Sequence, residues 1–235
     1  MGNASTAISM LLPDNIQWPC VLSAETQAQL LSIAKPFDYR SLTAPMPGVL
    51  YVESGCLVGY ATNSNIDTSL GLIFGHGTWF GIQSINNPEY ASAEIYEALL
   101  PTRLFVLPKQ EVEAILDSNP EIYKFLFYIA QQRGRVSLQM ASNTLFCLTT
   151  RVVYILLELI TKHNFDNQQP QEIHITQQNL SHIVGISRPR VNEVLKMLAD
   201  AEEIIIKRGK IVITDYAKLK TRLHPFSLMY HDPAP

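Results

Sequence analysis

Residues 175–198 read ITQQNLSHIVGISRPRVNEVLKML, and the rest of the chain is organised around this stretch. Its spacing predicts two short helices around a tight turn. Thr176 can cap the first helix, because its hydroxyl can accept from an unpaired first-turn N–H. Leu180, Ile183 and Val184 fall at i, i+3 and i+4 and form one apolar face. Gly185 stands where the chain must reverse, and glycine tolerates positive φ. Ile186 can fill the space between the helices. Ser187 is a natural N-cap for the second helix, with Pro189 in its first turn, where a missing N–H costs nothing. Val191, Val194, Leu195 and Leu198 then repeat at three-four spacing and face inward.

Arg188, Arg190, Asn192, Glu193 and Lys196 are left pointing outward, several of them at the start of the second helix. A helix-turn-helix sets that end against base edges in the DNA major groove. Arginine can pair bidentately with guanine and asparagine with adenine. Thr176, Gln177 and Gln178 open the first helix and are candidate DNA contacts too. Residues 203–214, EIIIKRGKIVIT, follow directly. Two β-branched runs flank Lys207, Arg208, Gly209 and Lys210, a hairpin pattern with three cations at its tip. A helix-turn-helix with a basic hairpin is a winged helix, its wing placed to touch phosphates. An ordinary helical hairpin with a solvated charged face would share the apolar spacing but not the basic wing.

The run resembles the C-terminal domain of the CRP–FNR family of bacterial transcription regulators, with Ile-Val-Gly, Ser-Arg and Leu-Lys-Met-Leu at matching spacing. The resemblance implies a β jelly roll of the cyclic-nucleotide-binding type, then a dimerisation helix, then the winged helix-turn-helix. This is an α+β fold, divided here as residues 1–117, 118–145 and 146–235. It implies a homodimer on a near-palindromic site, with recognition helices in major grooves about 34 Å apart. It also implies RNA polymerase among the partners. By the resemblance, Arg188 reads a base and Ser187 contacts a phosphate. Pro189 stands where many members carry glutamate, and Glu193 where many carry arginine, so the half-site should differ from the family's best-known one.

Composition agrees with this division. The chain has 235 residues, 47% of them hydrophobic and 17% charged, enough to bury real cores. Net charge is −3, which argues against indiscriminate nucleic-acid binding. Residues 146–222 hold 11 Lys and Arg against 8 Asp and Glu, a net +3, which leaves −6 for the remainder. An acidic body with a mildly basic module suits a DNA-binding domain attached to something else. No run approaches the roughly 20 apolar residues that span a bilayer. The N-terminus lacks the basic start and apolar core of a signal peptide. Met1, Gly2 and Thr6 match a myristoylation pattern, which is discounted in a bacterial regulator. These features predict a cytoplasmic protein without a membrane. Cys20, Cys56 and Cys147 are widely spaced and predict free thiols. No zinc or iron–sulfur pattern is present, so no cofactor is expected.

From Phe37 to Pro108 short apolar runs alternate with glycine, proline and asparagine breaks, the texture of many short strands. Ser54-Gly55 and Gly75-His76-Gly77 read as turns. His76 lies between two glycines, and a loop role outweighs metal binding. Ser118, Asn119 and Pro120 start the dimer helix of residues 118–145, with Pro120 in its first turn. Ile122, Leu126, Ile129, Arg133, Val136, Met140, Asn143 and Cys147 alternate by four and three, an a/d seam. Tyr123, Phe125, Phe127 and Tyr128 are then suited to packing on the β-domain. Residues 141–150 read as the hinge, 151–163 as a helix beneath the helix-turn-helix, and 164–171 as a polar loop.

In the resembled family a glycine-glutamate pair and an Arg-Ser-Ala-like step hold cyclic AMP. Here Gly81 is followed by Ile82, and Ala91 precedes Ser92 and Ala93, so both the acid and the arginine are missing. The expected effector is an unknown small molecule, or none, but not cyclic AMP. Two other classes stay open. One is a cupin-like enzyme or ligand-binding protein with an appended helix-turn-helix, for which only His76 offers a ligand in the barrel. The other is a winged helix that binds protein instead of DNA.

Overall fold

A computed structural model describes residues 15–42, 46–61, 70–85, 94–163 and 171–223. The elements run α1 (Ala24–Ile33), β1 (Lys35–Phe37), β2 (Gly48–Ala61), β3 (Leu70–Gly75), β4 (Trp79–Phe80) and β5 (Glu94–Pro108). There follow α2 (Lys109–Leu116), α3 (Glu121–Asn143), α4 (Leu148–His163), β6 (Gln171–His174), α5 (Gln177–Val184), α6 (Arg188–Asp200), β7 (Ile204–Lys207), β8 (Lys210–Ile213) and α7 (Tyr216–Thr221). The first sheet has the order β1-β5-β2-β3, with β4 paired to β2, and the second has the order β6-β8-β7. The α+β composition expected from sequence is present.

The chain forms two compact units. One comprises residues 1–55, 76–92 and 101–134, the other 56–75, 93–100 and 135–235. They cut across the linear division 1–117, 118–145 and 146–235, because β2, β5 and α3 each contribute to both.

Aromatic packing fills the first unit. Trp18 stacks on Trp79 with centroids 5.5 Å apart, and Phe125 meets Trp79 edge-on at 5.0 Å. The Trp79 indole donates to the Gln17 carbonyl at 2.7 Å, giving its polar edge a partner. Ser23 caps α1, its hydroxyl accepting from the Thr26 amide. The Glu121 carboxylate accepts from the Ser23 amide and hydroxyl and from the Thr26 hydroxyl. Those bonds, Ser23 first, hold its pKa down at about 2.

In the second unit α4 is the spine. Val152 to Leu157 are all buried, together with Leu180, Ile183, Val191, Leu195 and Leu198 from α5 and α6. Val58, Tyr60 and Ile73 of the β2–β3 hairpin belong to this same core.

Two sequence expectations change. Ser54 and Gly55 do not reverse the chain. They lie within the continuous strand β2, where Gly55 has φ +88°. A Cβ there would sit 2.2 Å from the Pro101 carbonyl oxygen, so the glycine admits a close strand approach. The faces of α3 also divide differently from the expected seam, although Phe125 packs in the first unit's core as expected. Ile122 and Ile129 are fully buried in the first unit's own core beside Phe125, and Met140 is buried in the second. Leu126 and Val136 are half-buried against those cores, and Arg133 is half-buried. Asn143 is buried, and its amide donates to the Arg151 carbonyl at 3.4 Å. Ile122, Ile129, Met140 and Asn143 of the expected seam are therefore taken up within the protomer, while Cys147 is exposed. Tyr123, Phe127, Tyr128 and Leu138, by contrast, are exposed.

Among the described residues no group of His, Cys, Asp and Glu could hold a metal, and no helix is long and apolar enough to cross a membrane. The three cysteines are free thiols. His76 lies in the turn after β3, its Nδ1 at 2.5 Å from the Glu53 carbonyl.

Candidate nucleic-acid interface

The site is built on α5, its turn and α6. Thr176 holds extended dihedrals and its hydroxyl accepts from the Asn179 amide at 3.0 Å. This satisfies one of the unpaired donors of the first turn. At the other end Gly185 is left-handed, with φ 70° and ψ 41°, and both its N–H and that of Ile186 donate to the Ser181 carbonyl. That is the glycine reversal the sequence predicts. The carbonyls left over at this helix end are taken by Arg151 of α4. Its Nη2 donates to Val184 O at 2.8 Å and to Gly185 O at 3.2 Å. Desolvation lowers the Arg151 pKa. Arg151 thus ties the spine helix to the turn, a role that sequence reading missed.

Ser187 stands at the N-cap of α6 in extended geometry, but its side chain makes no capping bond. Its hydroxyl is at the exposed helix start, where a phosphate oxygen could take it up. Val191, Val194, Leu195 and Leu198 are buried. Arg188, Pro189, Arg190, Glu193 and Lys196 are exposed. Asn192 differs from expectation. It is half-buried, with its Oδ1 enclosed and lacking a hydrogen-bond partner. Position 192 lies directly after the inward Val191, so the helix turn carries it toward the core edge.

The wing is β7 and β8, paired from Ile204↔Ile213 to Lys207↔Lys210, with Arg208 and Gly209 in the turn. Lys207 and Arg208 are exposed. Lys210 is not a free cation at the tip, because its Nζ lies 2.7 Å from a Glu172 carboxylate oxygen. Glu172 belongs to β6, which adds a third strand along β8. The sequence reading placed only a polar loop before this point. The four residues QEIH are too few and too polar to announce a strand on their own.

An ion pair anchors the wing. Glu203, fully buried where α6 hands over to β7, accepts from Arg222 at 2.6 and 2.5 Å. Lys218 Nζ stands 3.7 Å from the same carboxylate. The hydrogen bond to Glu203 raises the Arg222 pKa.

Of the first helix residues, Thr176 and Gln178 are exposed and Gln177 half-buried. In the effector region Gly81 is left-handed and Ile82 opens a short 3-10 turn, half-buried on the first unit's core. Ala91, Ser92 and Ala93 lie outside the described residues, as do residues 1–14 and 224–235.

Comparison with known proteins agrees with this geometry. Residues 150–222 match the family model described as a Crp-like helix-turn-helix domain. The chain is 31% identical over 101 residues to the cAMP-activated global transcriptional regulator CRP of Salmonella typhimurium, covering 42% of this chain and 48% of that one. The CRP of Pasteurella multocida is 24% identical over 139 residues, covering 58% of this chain and 66% of that one. The matches therefore span half to two thirds of these curated relatives. Among solved structures, the c-di-GMP responsive global regulator CLP of Xanthomonas campestris superposes with a TM-score of 0.64 at 20% identity, over 81% of this chain and 99% of that one. FixK2 of Bradyrhizobium japonicum gives 0.63 at 16%, over 80% and 96%. These structural likenesses speak to the fold.

Proposed function

We propose, from the premise that this chain belongs to the CRP–FNR family of transcription regulators, that it binds a near-palindromic DNA site as a homodimer and acts on transcription in the cytoplasm. The observation that carries the reading is the set of exposed cations Arg188, Arg190 and Lys196 on α6, in one module with the exposed Lys207 and Arg208 of the wing. The helix supplies donors for base edges, and the wing supplies cations for phosphates.

The dimer surface we favour is the exposed stripe of α3. Tyr123, Phe127, Ala130, Gly134, Leu138 and Ala141 recur at intervals of three or four and are all exposed. Gly134 has open space beside it, so a second helix could approach closely there. For the effector, Ile82 and Ala91 in place of an acid and an arginine favour a small molecule other than cyclic AMP. A cyclic phosphate without a cation loses its charge-assisted partner. RNA polymerase is the partner proposed for the DNA-bound dimer.

Selection of binding sites from random DNA should return a palindrome. On that site Arg188→Ala should cost about 1–3 kcal/mol and relax one base position. Lys207→Ala with Arg208→Ala should instead weaken all sequences alike and flatten the salt dependence. An Arg188→Ala protein that binds like wild type would refute this register.

A further inference from the structure

The first turn of α5 already has an anion against it. The carboxylate of Glu97, on β5, accepts from the Asn179 side-chain amide at 2.8 Å. Asn179 is the residue whose backbone N–H is capped by Thr176, and the two side chains are hydrogen-bonded to each other. Glu97 therefore reaches the end of α5 where unpaired N–H groups and the helix dipole favour negative charge. In a helix-turn-helix the first helix crosses the DNA backbone, and its N-terminus is a natural seat for a phosphate.

The contact is not a chance meeting of two long side chains. The same face of α5 is packed on the β2–β3 hairpin within one core. A Cβ on Gly71 of β3 would lie 3.1 Å from the Ile183 Cα, tighter than an ordinary contact, so the bare glycine eases the close approach of strand and helix. Tyr60 of β2 meets the His182 ring edge-on at 6.1 Å. Hairpin packing and the Glu97 bond together hold α5 against the sheet strands of the second unit.

We propose that Glu97 is a built-in phosphate mimic: it occupies the first turn of α5, competes there with the DNA backbone, and must withdraw for tight operator binding. The inference rests on the reading of α5 and α6 as a DNA-binding helix-turn-helix. Glu97 is exposed, so its removal should leave folding almost unchanged. The position of β5 then governs the DNA-binding state through the Glu97 carboxylate, which also interacts with the Tyr60 hydroxyl of β2.

The test is a double-mutant cycle read as operator affinity by fluorescence anisotropy, with wild type, Glu97→Ala, Asn179→Ala and the double variant. Each single variant should bind about three- to tenfold more tightly, the range expected for releasing one charge-assisted hydrogen bond at a partly solvated site. The double variant should gain no more than either single one. If only Glu97→Ala tightens binding and Asn179→Ala does nothing, a diffuse field effect accounts for the gain and the mimic is refuted. Unchanged or weaker binding by Glu97→Ala refutes it as well. If none of the four proteins, wild type included, binds DNA, the helix-turn-helix reading fails and the mimic falls with it.

Discussion

Arg222→Ala should loosen the wing far more than its surface location suggests. Glu203 is fully buried, and Arg222 gives it two charge-assisted hydrogen bonds at 2.6 and 2.5 Å. Removing the arginine leaves a carboxylate in the interior with Lys218 Nζ at 3.7 Å as its remaining cation. Breaking a buried pair from one side typically costs about 3–5 kcal/mol. The Arg222 side chain retains 29% of its exposure and Lys218 can move closer, so the low end, about 3 kcal/mol, is expected. Replacing both partners, as Glu203→Met with Arg222→Met, should cost much less, because no charge is then left buried. Amide hydrogen exchange resolved by peptide is the suitable assay, since both tryptophans, Trp18 and Trp79, lie in the other unit. A loss of about 3 kcal/mol appears as roughly a hundredfold drop in protection across β7, β8 and α7. If Arg222→Ala keeps wild-type protection there, or the double variant is as loose as the single, the pair does not hold the wing.

Glu121 predicts an acid-sensitive first unit. Its folded pKa is about 2, against an ordinary 4.5, through the bonds from Ser23 and Thr26. A depressed carboxylate adds stability that is complete above about 4.5 and is lost as pH falls toward 2. Urea midpoints followed by tryptophan fluorescence should therefore fall across that window in wild type and fall less in Glu121→Gln, and parallel curves would contradict the assignment. For the dimer, Phe127→Asp with Leu138→Asp should give folded monomers by light scattering, because both positions are exposed in the protomer. Ile129→Asp should instead unfold the first unit, and a Phe127→Asp, Leu138→Asp protein that stays dimeric would move the interface off α3.

The helix-turn-helix was legible in the sequence because its determinants are local. A capping threonine, a glycine in the left-handed region and apolar residues three and four apart each act within one turn of helix, and the structure has them at those positions. The basic hairpin was legible for the same reason, its pairing being set by a two-residue turn. Tertiary structure decided the rest. Helix α3 is apolar on two faces, and periodicity alone cannot say which one its own protomer covers. The core around Trp79 took Ile122, Phe125 and Ile129, and left Tyr123 and Phe127 outside. Lys210 read as a free cation until β6 brought Glu172 beside it from 38 residues away. Arg151 reaches the turn carbonyls across 33 residues, and Glu97 reaches Asn179 across 82. Such contacts are set by how the elements pack, so a pattern of neighbouring residues carries no trace of them.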